Sequence, residues 1–168
     1  MKTFADRFRR WFEHERDSYS KAFAMIASVP ESGRIEVEYE QAIDCFAHID
    51  AARQRWLHRL GHWPTAPAIR PHGTALTALA EQVVKTEAAW IAYLAVLDDA
   101  ELARFVEWVL EDGTRYRWDV EGILTQMNGH AWYHCGQIAQ LVDRLGGKSI
   151  QTDYIFWCKL PPIHPSAA

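Results

Sequence analysis

A chain of 168 residues with 49% hydrophobic and 24% charged side chains can bury one sizeable core but not two, so residues 1–168 are expected to form a single domain. A net charge of −4 and an isoelectric point near 6.0 exclude the basic face with which nucleic-acid binders neutralise phosphates. The longest apolar run, Ala88 to Leu97, is about half of what a bilayer requires, and charges stand where a signal peptide would be apolar. The expectation is therefore a cytoplasmic protein with neither nucleic acid nor membrane as partner.

The first helical pattern runs from Phe4 to Val29, with Phe8, Phe12, Tyr19, Phe23 and Ile26 at helical spacing, and Pro30 and Gly33 end it. The second, Glu38 to Leu60, places Ala42, Phe46, Ile49, Trp56 and Leu60 on one stripe and stops at Gly61 and Pro64. A third runs from Thr74 to Leu97 through Leu79, Val83, Trp90 and Leu94. In Val106 to Trp118, β-branched and aromatic residues flank Asp112–Gly113, the pattern of a hairpin with a two-residue turn. The fourth helix starts at the N-cap residue Asp119 and ends at Gly146–Gly147. From Lys148 on the chain is expected to be mostly irregular, with Pro161, Pro162 and Pro165 forbidding a long helix.

The link Gly61 to Gly73 bears on topology. Thirteen extended residues reach roughly 43 Å, and a second helix of about 23 residues is roughly 35 Å long. The link can run back along the bundle, so the third helix can lie parallel to the second. The expected fold is an all-α four-helix bundle, up-down-down-up, with a small β-hairpin inserted before the last helix.

Within the fourth helix, NGHAWYHCGQIAQL places His130 and His134 four residues apart, one above the other on one face. Imidazoles at that spacing can share one metal ion. Both interrupt the apolar stripe Val120–Ile123–Met127–Ala131–Ile138–Leu141–Leu145 and so are expected to point into the bundle, where stacked polar rings need a partner. Nearby carbonyls or carboxylates would satisfy them as well as a metal would, and the pattern leaves both readings open. His48 borders the inner stripe of the second helix and completes a candidate set of three. His58 and His62 repeat the spacing, but Gly61 and Pro64 break the helix there. Cys45, Cys135 and Cys158 are odd in number and contain no CxxC, which fits free thiols in a reducing compartment. Eight tryptophans fill core volume or wall an apolar pocket. Trp11 and Tyr19, taken as exposed, suggest a helix-face homodimer.

These residues together resemble the DinB/YfiT-like family of metal-dependent proteins, the DinB superfamily. The family's HxxxHRGQ is similar to HAWYHCGQ here, at His130, His134, Gly136 and Gln137. Its second-helix histidine, followed by a Trp-Leu-x-Arg-Leu segment, resembles His48 with WLHRL, Trp56 to Leu60. The ending LGGKSIQTDYIFW resembles the family's close, with Asp153 in place. The resemblance covers nearly the whole chain and implies the up-down-down-up bundle with a metal site of His48, His130 and His134. It departs at Cys135, which stands where the family has arginine; about 100° from His134 around the helix, the thiol is not expected to ligate.

Three neutral imidazoles leave a divalent ion, zinc or nickel, at least one open position. Bound water would be acidified toward a hydrolytic nucleophile, and a bound thiol would be present as thiolate. Characterised relatives use low-molecular-weight thiols, so the resemblance implies a thiol S-transferase with a thiol cosubstrate and a small-molecule substrate. The alternatives are a metal-dependent hydrolase and a non-catalytic, stress-associated metal binder. Asp44, one turn before His48, is a candidate to orient the histidines, and Arg53 and Arg55 are candidates to attract an acidic thiol or to be solvated surface charges.

Overall fold

Thr3 opens the first helix with a reciprocal cap: its hydroxyl accepts the Asp6 N–H at 3.1 Å, and its own N–H donates to the Asp6 carboxylate at 2.9 Å. Helix α1 follows as Phe4–Ala27 in a computed structural model that describes residues 3–110 and 112–159. Helix α2, Val37–Leu60, ends on Gly61 at φ 88°, a left-handed position that glycine takes without a steric cost. Then come α3 (Leu76–Ala95), the one-turn α4 (Asp99–Leu102), strands β1 (Phe105–Val109) and β2 (Arg115–Asp119), α5 (Val120–Arg144) and the one-turn α6 (Tyr154–Trp157). Asp119 caps α5 by accepting the Gly122 N–H at 2.7 Å, as its place in the sequence suggests. Apart from the one-turn α6, the described chain after Lys148 is irregular, in keeping with the mostly irregular stretch expected there. Pro161, Pro162 and Pro165 lie outside the described residues.

The hairpin is present, but its turn differs from the expected one. Val109 pairs with Arg115, Leu110 N–H donates to the Thr114 carbonyl at 2.9 Å, and Gly113 N–H donates to the Leu110 carbonyl at 2.9 Å. The loop between Leu110 and Thr114 is thus one residue longer than a two-residue turn. Gly113, at φ 83°, takes the left-handed position that closes a three-residue loop.

Side-chain pairs fix the direction of each helix. Arg53 meets Glu15 while Phe46 meets Phe23, so α2 runs antiparallel to α1. Asp50 bonds Gln82 and Gln54 bonds Thr86, so α3 runs parallel to α2, as the long link allows. Cys45 faces Gln137 while His48 faces His130, which makes α5 antiparallel to α2. The bundle is up-down-down-up. No described helix is long and apolar enough to cross a membrane.

The core has two apolar clusters. One contains Tyr19, Met25, Ile26, Phe46, Ile49, Leu79 and Ile138; the other contains Phe8, Phe12, Leu57, Trp90, Leu94 and Ile123. A buried polar layer lies among these helices. Glu15 and Arg53, with side chains 2% and 4% exposed, form an ion pair, and the Tyr19 hydroxyl donates to Glu15 at 2.6 Å. Next to it, Asp50 accepts from Gln54 at 2.7 Å and from Gln82 at 2.9 Å. Two expectations are corrected here. Tyr19 is core and not an exposed aromatic for pairing, and Arg53 is neither solvated nor free to attract a ligand, because Glu15 neutralises it.

Candidate metal centre

The strong packing of α2 against α5 brings His48, His130 and His134 onto one seam, each half-buried. They lie beside the deepest stripe of α5 and not in it. That stripe runs Ile123–Met127–Ala131–Cys135–Ile138–Val142, so the expectation that both α5 histidines point into the bundle centre holds only in part. One potential ligand nitrogen from each histidine lies within 4.8 Å of the others, and among the described residues no fourth His, Cys, Asp or Glu joins the cluster. His48 Nε2 and His130 Nε2 are 3.1 Å apart.

Neighbouring groups orient two of the rings. A carbonyl can only accept, so His48 Nδ1–H donates to the Ile69 carbonyl at 2.6 Å and its Nε2 lone pair is left for the cluster. His134 Nδ1–H donates to Gln137 Oε1 at 2.6 Å with the same consequence. The third ring differs: His130 Nδ1 is buried with no partner among the described residues. Burial first, then the nearby His134, His48 and Arg53, pushes the His130 pKa down to about 4. Burial also lowers that of His134, against the bond to Gln137. These rings are neutral at pH 7, the state a metal ligand requires. His130 Nε2–H can donate to the His48 Nε2 lone pair at 3.1 Å; with that proton on the unpartnered Nδ1 instead, all three rings present lone pairs within 4.8 Å of one another, and this donor set fits a divalent ion.

The cluster opens on one side into a cleft of about 490 Å³. Gln41, Asp44, Cys45 and His48 of α2 line it, with Arg70, Pro71 and His72 of the link and Tyr133, His134 and Gln137 of α5. No tryptophan lines it; Trp11 and Trp157 line a different cleft, of about 870 Å³, near the start of α1. Asp44 does not reach the histidines of the cluster. Its carboxylate accepts from His72 Nδ1–H at 2.8 Å and from Gly73 N–H at 3.2 Å, which ties the link to α2. Arg55 serves the same end by donating to the Pro67 carbonyl at 2.8 Å.

Cys135 is 1% exposed, and burial pushes its thiol up to about 12, so it takes no part in the site. Cys45 approaches His134 Nδ1 at 3.5 Å, and burial holds its thiol at about 11. His58 bonds the Trp63 carbonyl and His62 packs on Tyr93, both outside the cluster. Sequence reasoning matched Gln137 to a motif without a role, although its place three residues after His134 puts the two side by side on a helix. The Ile69 carbonyl carried no signal, because every residue has one and only the path of the link brings this one to His48.

An up-down-down-up bundle whose α2–α5 seam carries three convergent imidazoles beside an open cleft is an architecture compatible with metal binding. The model of the DinB family matches residues 1–161, and the chain belongs to that family. No curated protein and no solved structure matches the chain.

Proposed function

We propose that the protein is a metal-dependent enzyme in which the Nε2 atoms of His48, His130 and His134 hold one divalent ion, zinc or nickel, and that it conjugates a low-molecular-weight thiol to an electrophilic small molecule. The observation that carries this reading is the geometry of the three rings: two have their Nδ1–H groups engaged by Ile69 and Gln137, which leaves lone pairs converging at the end of a cleft. A divalent ion there would supply Lewis acidity, so that a bound thiol is deprotonated at neutral pH. The histidines orient and hold, and the link excludes part of the solvent.

Thiol transfer is favoured over hydrolysis by one feature of the cleft. Water attack is assisted by a general base, and Asp44, the one carboxylate among the lining residues, is already occupied by His72 and Gly73. A thiol that ionises at the metal has no need of that base. The open cleft, with no fourth protein ligand among the described residues, also favours an enzyme over a closed binding site.

Elemental analysis of protein purified without added metal tests the assignment. About one zinc or nickel per chain is expected in the wild type, and well under one in His48→Ala, His130→Ala and His134→Ala. Full occupancy in any of these variants overturns the ligand set.

A further inference from the structure

Resting on that reading, we infer that the thiol entering this cleft carries a carboxylate, and that Arg70 is the residue that receives it. The inference comes from the charges that line the cleft. Asp44 is offset by the His72 and Gly73 N–H groups. Arg70 lies exposed on the link, lines the same cleft as His134, and makes no ion pair among the described residues.

Arg70 differs in this from the arginines nearby. Arg53 is paired with Glu15, and Arg55 is held by the Pro67 carbonyl. Pro71 disfavours a helical backbone at Arg70, which sits in a bend of the link, and the contacts of Ile69 with His48 and of Gly73 with Asp44 pin the link on both sides of it. The guanidinium is therefore delivered to the cleft wall by a tethered backbone. Tyr133, 64% exposed, stands against His134 with ring centroids 5.0 Å apart and lines the same cleft. A molecule in this cleft meets an aromatic ring and a guanidinium without an ion-pair partner among the described residues, whose planar fork matches a carboxylate. The three imidazoles add no negative charge, so a second cation, at the metal, faces the same ligand. Two separated positive points select a ligand with two separated anionic groups: one that binds the ion and a carboxylate for Arg70.

The test uses the full chain loaded with cobalt and two probes of similar size, 3-mercaptopropionate and 2-mercaptoethanol, titrated through their thiolate-to-cobalt absorption. Azide, which binds the ion but is too small to span to Arg70, is titrated in parallel. The affinity ratio of the two thiols in the wild type, divided by that ratio in Arg70→Gln, cancels their different intrinsic acidities. A quotient of about ten is expected, on the order of one charge-assisted hydrogen-bonded contact. Azide and cobalt affinities should be unchanged in Arg70→Gln, and Arg70→Lys should keep part of the preference. A quotient near one overturns the inference and leaves the metal reading intact. A fall in azide affinity equal to that of mercaptopropionate also overturns it, because Arg70 would then act as a general field and not as a receptor. Failure of the wild type to bind cobalt overturns the metal reading itself, and this inference with it.

Discussion

Replacing His130 by alanine tests the proposed centre, because the expected loss can be worked through to a melting temperature. Four-ligand zinc sites bind with roughly 10–16 kcal/mol, or about 3 kcal/mol per ligand, so removing one imidazole of three should weaken zinc by about 150-fold. At free zinc one hundred times the wild-type Kd, ligation stabilises the native state by about 2.7 kcal/mol. For a chain of this length each kcal/mol moves Tm by about 2–4 °C, so zinc should raise the wild-type Tm by about 5–10 °C. The same zinc concentration lies below the Kd of His130→Ala, where the gain falls to about 0.3 kcal/mol, a shift of about 1 °C. The metal-free variant should still fold, because the ring it loses is half-buried with an unpartnered Nδ1. Calorimetry with and without buffered zinc makes the measurement, and His58→Ala, outside the cluster, should shift like the wild type. A full zinc shift in His130→Ala would refute the reasoning.

Two further outcomes concern the bundle that carries the site. Arg53→Met strands the buried Glu15 carboxylate and should cost about 3–5 kcal/mol, or about 10 °C in Tm, whereas adding Glu15→Gln should restore a good part of it. Equal melting temperatures for the single and double variants would show that the pair is not coupled. His14, 1% exposed with Nε2–H donating to the Thr152 carbonyl at 2.7 Å, has its pKa lowered from 6.5, chiefly by burial. Its contribution is fully present above pH 6.5, the ordinary value expected of the unfolded chain, and is lost as pH falls through the lower folded value. Urea unfolding across that window should show a shallower decline in His14→Gln than in the wild type, and parallel curves would refute the assignment.

The sequence by itself determined the four long helices, to within two residues at their ends, because their apolar periodicity, the start signal at Asp119 and the stops at Gly61 and Gly146 are local. It also determined the histidine pair on α5, since spacing along a helix sets which side chains share a face. The length of the link permitted α3 to run parallel to α2, but the Asp50–Gln82 and Gln54–Thr86 bonds establish it. Only the tertiary structure decided which charges are spent. Arg53, Arg55 and Arg70 look alike in a sequence; the first is neutralised by a residue 38 positions away, the second bonds a link carbonyl, and the third lines the cleft. The same holds for Asp44, placed by helical spacing to serve His48 but drawn instead to His72 and Gly73 when the link folds back. Periodicity reports which face a residue occupies, whereas burial and pairing depend on what a distant segment lays against that face, and that is settled when the link crosses the seam between α2 and α5.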